Sequence, residues 1–131
     1  MKLIVTSTGK NLDAAVDPRF GRAQYLTLVE TEGLAFEATE NPGLQASGGA
    51  GVQAAQLAAA AGAKAVLTGN VGPNAYLALA AAGIKVYIGA AGTVRQAVEA
   101  YARGELQEAT APSVGAHAGS GPGPASPSMG G

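Results

Sequence analysis

The chain has 131 residues, of which 47% are hydrophobic and 13% charged, and its formal net charge is −1. This length and composition fit one globular domain with one hydrophobic core, and they exclude a chain that is disordered throughout. The balanced charge and the aromatic content of only 5% argue against nucleic-acid binding, and the absence of cysteine excludes disulfides and thiolate-bound iron–sulfur clusters.

The first part of the chain predicts three strands. Residues 3–7 form an apolar run typical of a buried strand, and residues 25–30 and 34–39 form two further strands joined by a turn at residues 31–33. Asn41-Pro42-Gly43 ends the third strand, because proline and glycine interrupt regular structure.

The second part alternates helices with strands. The pattern predicts a helix at residues 52–61, a strand at 65–68, a helix from Pro73 to residue 82, a strand at 86–88, and a helix that begins with a capping box at Thr93 and ends at Gly104. Such alternation is typical of parallel strands joined by right-handed helical crossovers. The sequence therefore predicts an α/β domain whose sheet is partly antiparallel and partly parallel.

The composition changes at Ala109, after which no residue is charged and Pro, Gly, Ser and Ala dominate. We predict one domain at residues 1–108 and a disordered tail at residues 109–131. His117, the only histidine, lies in this tail, and we assign it no role as a ligand. We expect a cytoplasmic protein with no membrane segment, because residues 1–5 lead directly into a strand and glycine interrupts the apolar runs.

The chain contains no Asp or Glu between Glu40 and Glu99, but this stretch holds three glycine-rich turns, at residues 47–51, 69–74 and 89–93. Each turn precedes a predicted helix. Free backbone N–H groups and the positive end of the helix dipole at such a start attract anions. A surface built in this way suits a negatively charged ligand and does not suit a hard cation or carboxylate-based catalysis.

The loop Asp17-Pro18-Arg19-Phe20-Gly21-Arg22 permits two interpretations. Its two arginines could clamp an anion with their forked donors. Alternatively, Asp17-Pro18 forms a turn, Phe20 fills the core and both arginines are solvated.

The glycine turns are also open to more than one interpretation. Residues 49–54 read G-x-G-x-x-A, but no strand directly precedes them and no acidic residue follows about twenty positions later, which argues against dinucleotide binding. An anion-binding turn and tight packing of an alanine-rich helix remain. Asn70 and Asn74 could donate to a ligand or cap the helix, and their loop follows a strand, where ligands bind in open α/β sheets.

Six sequence blocks occur in an order that matches a known family. They are Val16-Asp17-Pro18-Arg19-Phe20-Gly21-Arg22-Ala23, Asn41-Pro42-Gly43, Gly48-Gly49-Ala50-Gly51, Thr68-Gly69-Asn70-Val71-Gly72-Pro73-Asn74-Ala75, Ala82-Gly83-Ile84-Lys85-Val86-Tyr87 and Gly92-Thr93-Val94. Over residues 1–108 the chain closely resembles the dinitrogenase iron–molybdenum cofactor-binding domain family.

The resemblance implies a ribonuclease-H-like three-layer fold, with a five-stranded mixed sheet that contains one antiparallel strand and with helices on both faces. It also implies a non-catalytic carrier of the iron–molybdenum cofactor or an iron–sulfur precursor, with cofactor-assembly proteins as partners. The candidate cofactor-binding residues are Asp17, Arg19, Phe20, Gly21, Arg22, Gly48, Gly49, Gly51, Asn70, Gly72, Asn74 and Thr93. No catalytic or metal-ligating residue is assigned.

The chain departs from this family at one position. Nitrogenase-associated members tend to carry a histidine, a natural cluster ligand, where this chain has Arg19. Without cysteine or a histidine in the domain, the chain offers a cluster guanidinium and backbone N–H groups in place of soft ligands. It resembles the small stand-alone branch of the family.

Two other functions compete with the carrier hypothesis. The chain could be an interaction or regulatory module that binds a protein partner or a small anionic metabolite. It could also be a ribonuclease-H-like nuclease, which would need clustered carboxylates and two Mg²⁺ ions. The predicted first strand at residues 3–7 carries no acid, which disfavours the nuclease.

Overall fold

The computed structural model describes residues 1–45 and 49–114. Its strands are β1 (Lys2–Ser7), β2 (Tyr25–Glu30), β3 (Phe36–Glu40), β4 (Ala65–Leu67), β5 (Lys85–Ile88) and β6 (Gln107–Glu108). Its helices are α1 (Ala50–Ala60), α2 (Pro73–Ala81), α3 (Val94–Ala102) and a short 3₁₀ helix, Pro42–Gln45. No helix within these two ranges is long and apolar enough to cross a membrane.

The six strands form one mixed sheet in the order β3-β2-β1-β4-β5-β6. β1 pairs in parallel with β4 and β4 with β5, while β2 runs antiparallel to both of its neighbours, β1 and β3. β6 pairs antiparallel with β5, with Glu108 opposite Tyr87. The expectation of five strands with one antiparallel strand is therefore wrong: the part of the chain that the structure describes forms six strands, of which β2 and β6 are antiparallel. Two residues are too few to show strand periodicity, so β6 left no signal in the sequence.

The predicted strands and helices all occur in the predicted order, with ends displaced by at most two residues, whereas the 3₁₀ helix was not predicted. The largest difference in the hairpin is at β3, which begins at Phe36 and not at residue 34. Gly33 and Leu34 both have positive φ angles, 86° and 59°. Because an extended strand requires negative φ, Leu34 belongs to the turn.

Alternate residues of β1 supply two hydrophobic cores, one on each face of the sheet. Ile4 packs with the buried faces of α1 and α2. Leu3 and Val5 pack on the opposite face with Val94 and Val98 of α3. The helices therefore cover both faces, as expected, and the sheet is the middle layer.

The first part of the predicted tail differs from expectation. Ala109 is buried and its N–H donates to the Val86 carbonyl at 2.8 Å, and Ser113 hydrogen-bonds to Val71. Ala109, Ser113 and Val114 therefore contact the domain through their backbone groups, which continue the contacts that β6 begins. Residues 115–131, including His117, lie outside the described residues.

Candidate ligand-binding cleft

The cleft lies where the strand order changes direction. β2 pairs with one side of β1, and β3 extends the sheet in that direction. β4 pairs with the other side of β1, and β5 extends the sheet in the opposite direction. In open α/β sheets this reversal leaves a crevice outside the carboxyl ends of the strands. A cleft of about 550 Å³ is present there. Its lining residues are Pro18, Arg19, Phe20, Gly21, Arg22, Gly49, Ala50, Gly51, Asn70, Gly72, Pro73, Asn74, Ala75 and Val114.

Close backbone approaches hold the three cleft loops together. A Cβ at Gly51 would lie 2.8 Å from the Cβ of Ala75, so the first turns of α1 and α2 touch. A Cβ at Gly69 would lie 2.7 Å from Pro18, and the N–H of Asn70 donates to the Pro18 carbonyl at 2.8 Å. Side chains at these two glycines would force the loops apart, and this explains why glycine is required there.

Two helices begin at the cleft without side-chain caps. The N-cap residues of α1 and α2 are Gly49 and Gly72, and neither helix has a side-chain capping bond or an acidic residue in its first turn. α3 begins away from the cleft and has a full capping box between Thr93 and Gln96. The first N–H groups of α1 and α2 lack intrahelical acceptors, so both helices present donors and a positive dipole end to the cleft.

The two arginines are held differently. Arg19 bonds to Asp17 through its backbone N–H at 3.0 Å and through its guanidinium at 3.3 and 3.4 Å, yet 67% of its side chain stays exposed. Arg22 is exposed and has no carboxylate within 4.0 Å among the described residues. The Asp17 carboxylate offsets part of one positive charge, and the other guanidinium remains available to an anion.

Asp17 itself is a positioning residue. Its side chain is only 4% exposed, and its backbone is fixed by Thr6, whose hydroxyl donates to the Asp17 carbonyl at 2.6 Å. The Asp17 N–H donates to the Thr6 carbonyl at 2.9 Å. Asp17 therefore ties the arginine loop to the end of β1, and the sequence-based assignment of direct cofactor contact does not fit this position.

Asn41 is a positioning residue that the sequence analysis did not identify. It is 2% exposed, and its Nδ2 donates to the carbonyls of Gly21 at 3.1 Å and Ala23 at 3.0 Å. Its Oδ1 accepts the N–H of Gly43 at 2.9 Å. The two carbonyls flank Arg22, so this one amide sets the backbone that carries the arginine. Asn41 occurs in one of the six sequence blocks, but its local pattern indicated only a strand end.

Most of the predicted binding residues come together. Those that line the cleft are Arg19, Phe20, Gly21, Arg22, Gly49, Gly51, Asn70, Gly72 and Asn74. Phe20 is 2% exposed and its side chain belongs to the core that includes Ile4, so it offers the cleft little beyond its backbone. Thr93 caps α3 and is not among the lining residues, because the turn at residues 89–93 borders a different surface. Gly48 lies outside the described residues.

The donor set determines which ligands the cleft suits. Within residues 1–45 and 49–114 no group of three His, Cys, Asp or Glu side chains could hold a metal ion. The cleft instead presents guanidinium groups, amide side chains and helix N-termini, all of which donate hydrogen bonds. This set of donors fits an anion bound as a whole.

Comparison with known proteins identifies the family. Residues 1–104 match the family model described as "Dinitrogenase iron-molybdenum cofactor". The chain belongs to this family. The match covers every cleft residue except Val114.

Two solved structures and one further sequence are similar to this chain. The apo form of the orange protein from Desulfovibrio gigas is 45% identical, with a TM-score of 0.81, over 85% of this chain and 94% of that one. A NifB-type protein from Thermotoga is 37% identical, with a TM-score of 0.72, over 82% and 91% of the two chains. An uncharacterised protein of Methanocaldococcus jannaschii is 29% identical over 96 residues, which are 71% of this chain and 81% of its own length.

Proposed function

We propose that this protein is a non-catalytic carrier that binds the iron–molybdenum cofactor, or an anionic iron–sulfur precursor of it, in the cleft at the switch point of the sheet. The observation that carries the proposal is the convergence of two uncapped helix N-termini with Arg19 and Arg22 in one cleft. Family membership and the likeness to NifB-type and orange proteins support a cofactor as the anion.

Binding follows from charge and hydrogen bonding. The cluster would enter as cargo, and the guanidinium groups of Arg19 and Arg22 would bind its negatively charged surface through forked donors. The N–H groups at the starts of α1 and α2 and the amides of Asn70 and Asn74 would bind further acceptors. A cargo held by charge can be handed to a cofactor-assembly protein without breaking bonds to soft side-chain ligands, which suits a carrier.

The test is an anaerobic titration of the full chain with isolated iron–molybdenum cofactor, followed by visible absorption. The Arg19→Ala/Arg22→Ala double variant should weaken binding by at least about tenfold, because it removes two charged hydrogen-bond donors. The control is Arg95→Ala/Arg103→Ala, which removes the same charge from exposed ion pairs with Asp13 and Glu105. Equal binding by both double variants would contradict the proposed mechanism.

A small anionic metabolite is the second candidate for the same cleft, because its donors recognise negative charge and not a particular metal. In this alternative the protein is a regulatory or interaction module. Competition separates the two: the module interpretation is favoured if a common metabolite dianion such as phosphate displaces the cofactor at millimolar concentration, or if the cofactor does not bind at all. Unchanged cofactor binding in phosphate supports the carrier.

The nuclease alternative finds no support in the described residues. We propose that strands β1–β5 follow the ribonuclease-H-like arrangement that the resemblance implies, with β6 as an addition at one edge. Nucleases of that class use clustered carboxylates to hold metal ions. Asp17, which directly precedes the lining residue Pro18, is buried and bonded to Arg19. Mg²⁺-dependent cleavage of an RNA–DNA hybrid by the purified chain would overturn this assignment.

A further inference from the structure

Residues 109–114, here called the C-terminal strap, lie beyond the residues 1–104 that match the family, so family membership assigns them no role. The strap starts at the sheet edge, where the N–H of Ala109 donates to the Val86 carbonyl at 2.8 Å. It ends at the cleft, where Val114 is a lining residue. The strap therefore connects the outer edge of the sheet with the proposed binding site.

Ser113 joins the strap to the cleft loop. Its N–H donates to the Val71 carbonyl at 2.9 Å, and its Oγ accepts the Val71 N–H at 2.8 Å, so both polar backbone groups of Val71 are bonded to one residue. Val71 is 1% exposed and anchors this loop in the core. The strap thus satisfies buried backbone groups that would otherwise lack these partners.

The same hydroxyl contacts a cleft side chain. Ser113 Oγ lies 3.3 Å from Oδ1 of Asn70 and 3.4 Å from the Val71 carbonyl, so its one proton is shared between these two acceptors, and Asn70 lines the cleft. When the carbonyl oxygen of a carboxamide is occupied in this way, its NH₂ group is left to make other contacts. A donor bound at Oδ1 leaves the NH₂ group of Asn70 to bind an anion.

We propose that the C-terminal strap is part of the binding site: Val114 forms a wall of the cleft, and Ser113 is a positioning residue that orients the Asn70 amide toward an anionic ligand. This inference deepens the proposed function and rests on it. It assigns ligand selectivity to a segment that the family match does not include.

The first experiment tests the wall by adding charge. In the anaerobic titration with isolated iron–molybdenum cofactor, Val114→Glu should weaken binding about tenfold and Val114→Lys should strengthen it, because a charge at the cleft wall acts at short range. The matched control is Ala111→Glu, which adds the same charge three residues earlier in the strap, at an exposed position that does not line the cleft. Its effect should stay below about twofold at 0.15 M salt, where screening weakens distant charges.

The second experiment tests the role of Ser113. Ser113→Ala should weaken cofactor binding roughly threefold to tenfold, the range expected for one hydrogen bond, and Ser113→Thr should restore it by keeping the hydroxyl. In an Asn70→Ala background, Ser113→Ala should weaken binding less than it does alone, because the residue it orients is gone and only its bond to the Val71 N–H remains to be lost. Additive losses in this cycle, or failure of threonine to restore binding, would contradict the positioning role.

The outcomes distinguish a failure of the proposed function from a failure of the role assigned to the strap. If the unmodified chain does not bind the cofactor, the proposed function fails and this inference fails with it. If the unmodified chain binds, but Val114→Glu and Ala111→Glu have equal effects, the strap is not a wall of the site and the inference alone is wrong. Thermal denaturation of each variant identifies any loss that comes from unfolding.

Discussion

At the scale of single residues, the cleft depends on buried polar side chains that do not face the ligand. Asn41 and Asp17 are both almost fully buried, and each fixes the backbone beside an arginine. The loss of these hydrogen bonds is costly because a buried polar group without a partner cannot form a hydrogen bond to water instead. The residues that determine the geometry of the site are thus different from those that would contact its cargo.

The first prediction concerns Asn41. Asn41→Ala should lower the free energy of unfolding by about 2–4 kcal/mol, because a buried carbonyl, a part-buried carbonyl and one buried N–H lose their partner. Chemical denaturation measures this change. The control is Asn11→Ala, which removes an exposed bond to the Asp13 N–H and should cost less than about 1 kcal/mol. Similar small losses in both variants would show that water replaces the Asn41 amide.

At the scale of elements, the decisive contact is between the first turns of α1 and α2. The contact is possible because Gly51 has no Cβ and Ala75 has a small one. Two positive helix ends in contact repel each other and raise the local potential, and an anion relieves that repulsion. Under the proposed function, the pairing lowers the stability of the empty domain and raises its affinity for the anion.

The second prediction follows from this contact. Gly51→Ala should destabilise the domain by about 1–3 kcal/mol through overpacking, although alanine has the higher helix propensity. It should also weaken cofactor binding, because the two helix starts are forced apart. Adding Ala75→Gly should recover most of the affinity, since the new methyl group then has room. A Gly51→Ala variant of unchanged or higher stability would show that the helices separate without cost.

At the scale of the whole molecule, charge is unevenly distributed although the net charge is only −1. The 58 positions between Glu40 and Glu99 carry no acid, and the acids are confined to the first three strands, their loops and the C-terminal part. Opposite the cleft helices, α3 packs through an edge-to-face pair of Tyr87 and Tyr101, with ring centroids 5.0 Å apart. We expect the stability of the chain at alkaline pH to depend on this pair.

The third prediction concerns pH. Burial is the main cause that raises the pKa of Tyr101 above its ordinary value of 10.0. Tyr87 and Glu108 raise this pKa further, whereas Lys85 lowers it. The unfolded chain therefore ionises this phenol first, so its contribution to stability is complete below pH 10 and is lost as the pH rises through the higher folded pKa. Thermal denaturation from pH 8 to 11 should show a smaller alkaline loss for Tyr101→Phe than for the unmodified chain.

The control for this measurement is Tyr25→Phe, which removes a phenol from β2 on the other side of β1. The difference in alkaline stability loss between chains with Tyr101 and with Phe at this position should be the same in the Tyr25→Phe background. If Tyr101→Phe loses stability above pH 10 as steeply as the unmodified chain, other groups determine the alkaline response.

Local patterns were sufficient to predict most elements and many of the cleft residues. Pro73 marks the start of α2, and Thr93 with Gln96 marks the start of α3, because capping chemistry involves residues a few positions apart. The absence of acids around the glycine turns likewise indicated an anion site before any geometry was available. These features can be predicted from the sequence because the interacting residues are only a few positions apart in the chain.

The tertiary structure alone decided the rest. The amide of Asn41 reaches back to Gly21 and Ala23, and Ser113 bonds to residues 70 and 71, across 18 to 43 positions of sequence. β6 and the strap are held by contacts with β5 and Val71, and no periodic pattern in the sequence predicts these contacts. The sequence by itself determined most of the elements and predicted an anionic ligand, because propensity, capping and charge are local properties. Which side chains support the cleft depended on contacts between distant segments, because only folding brings those segments within hydrogen-bond distance.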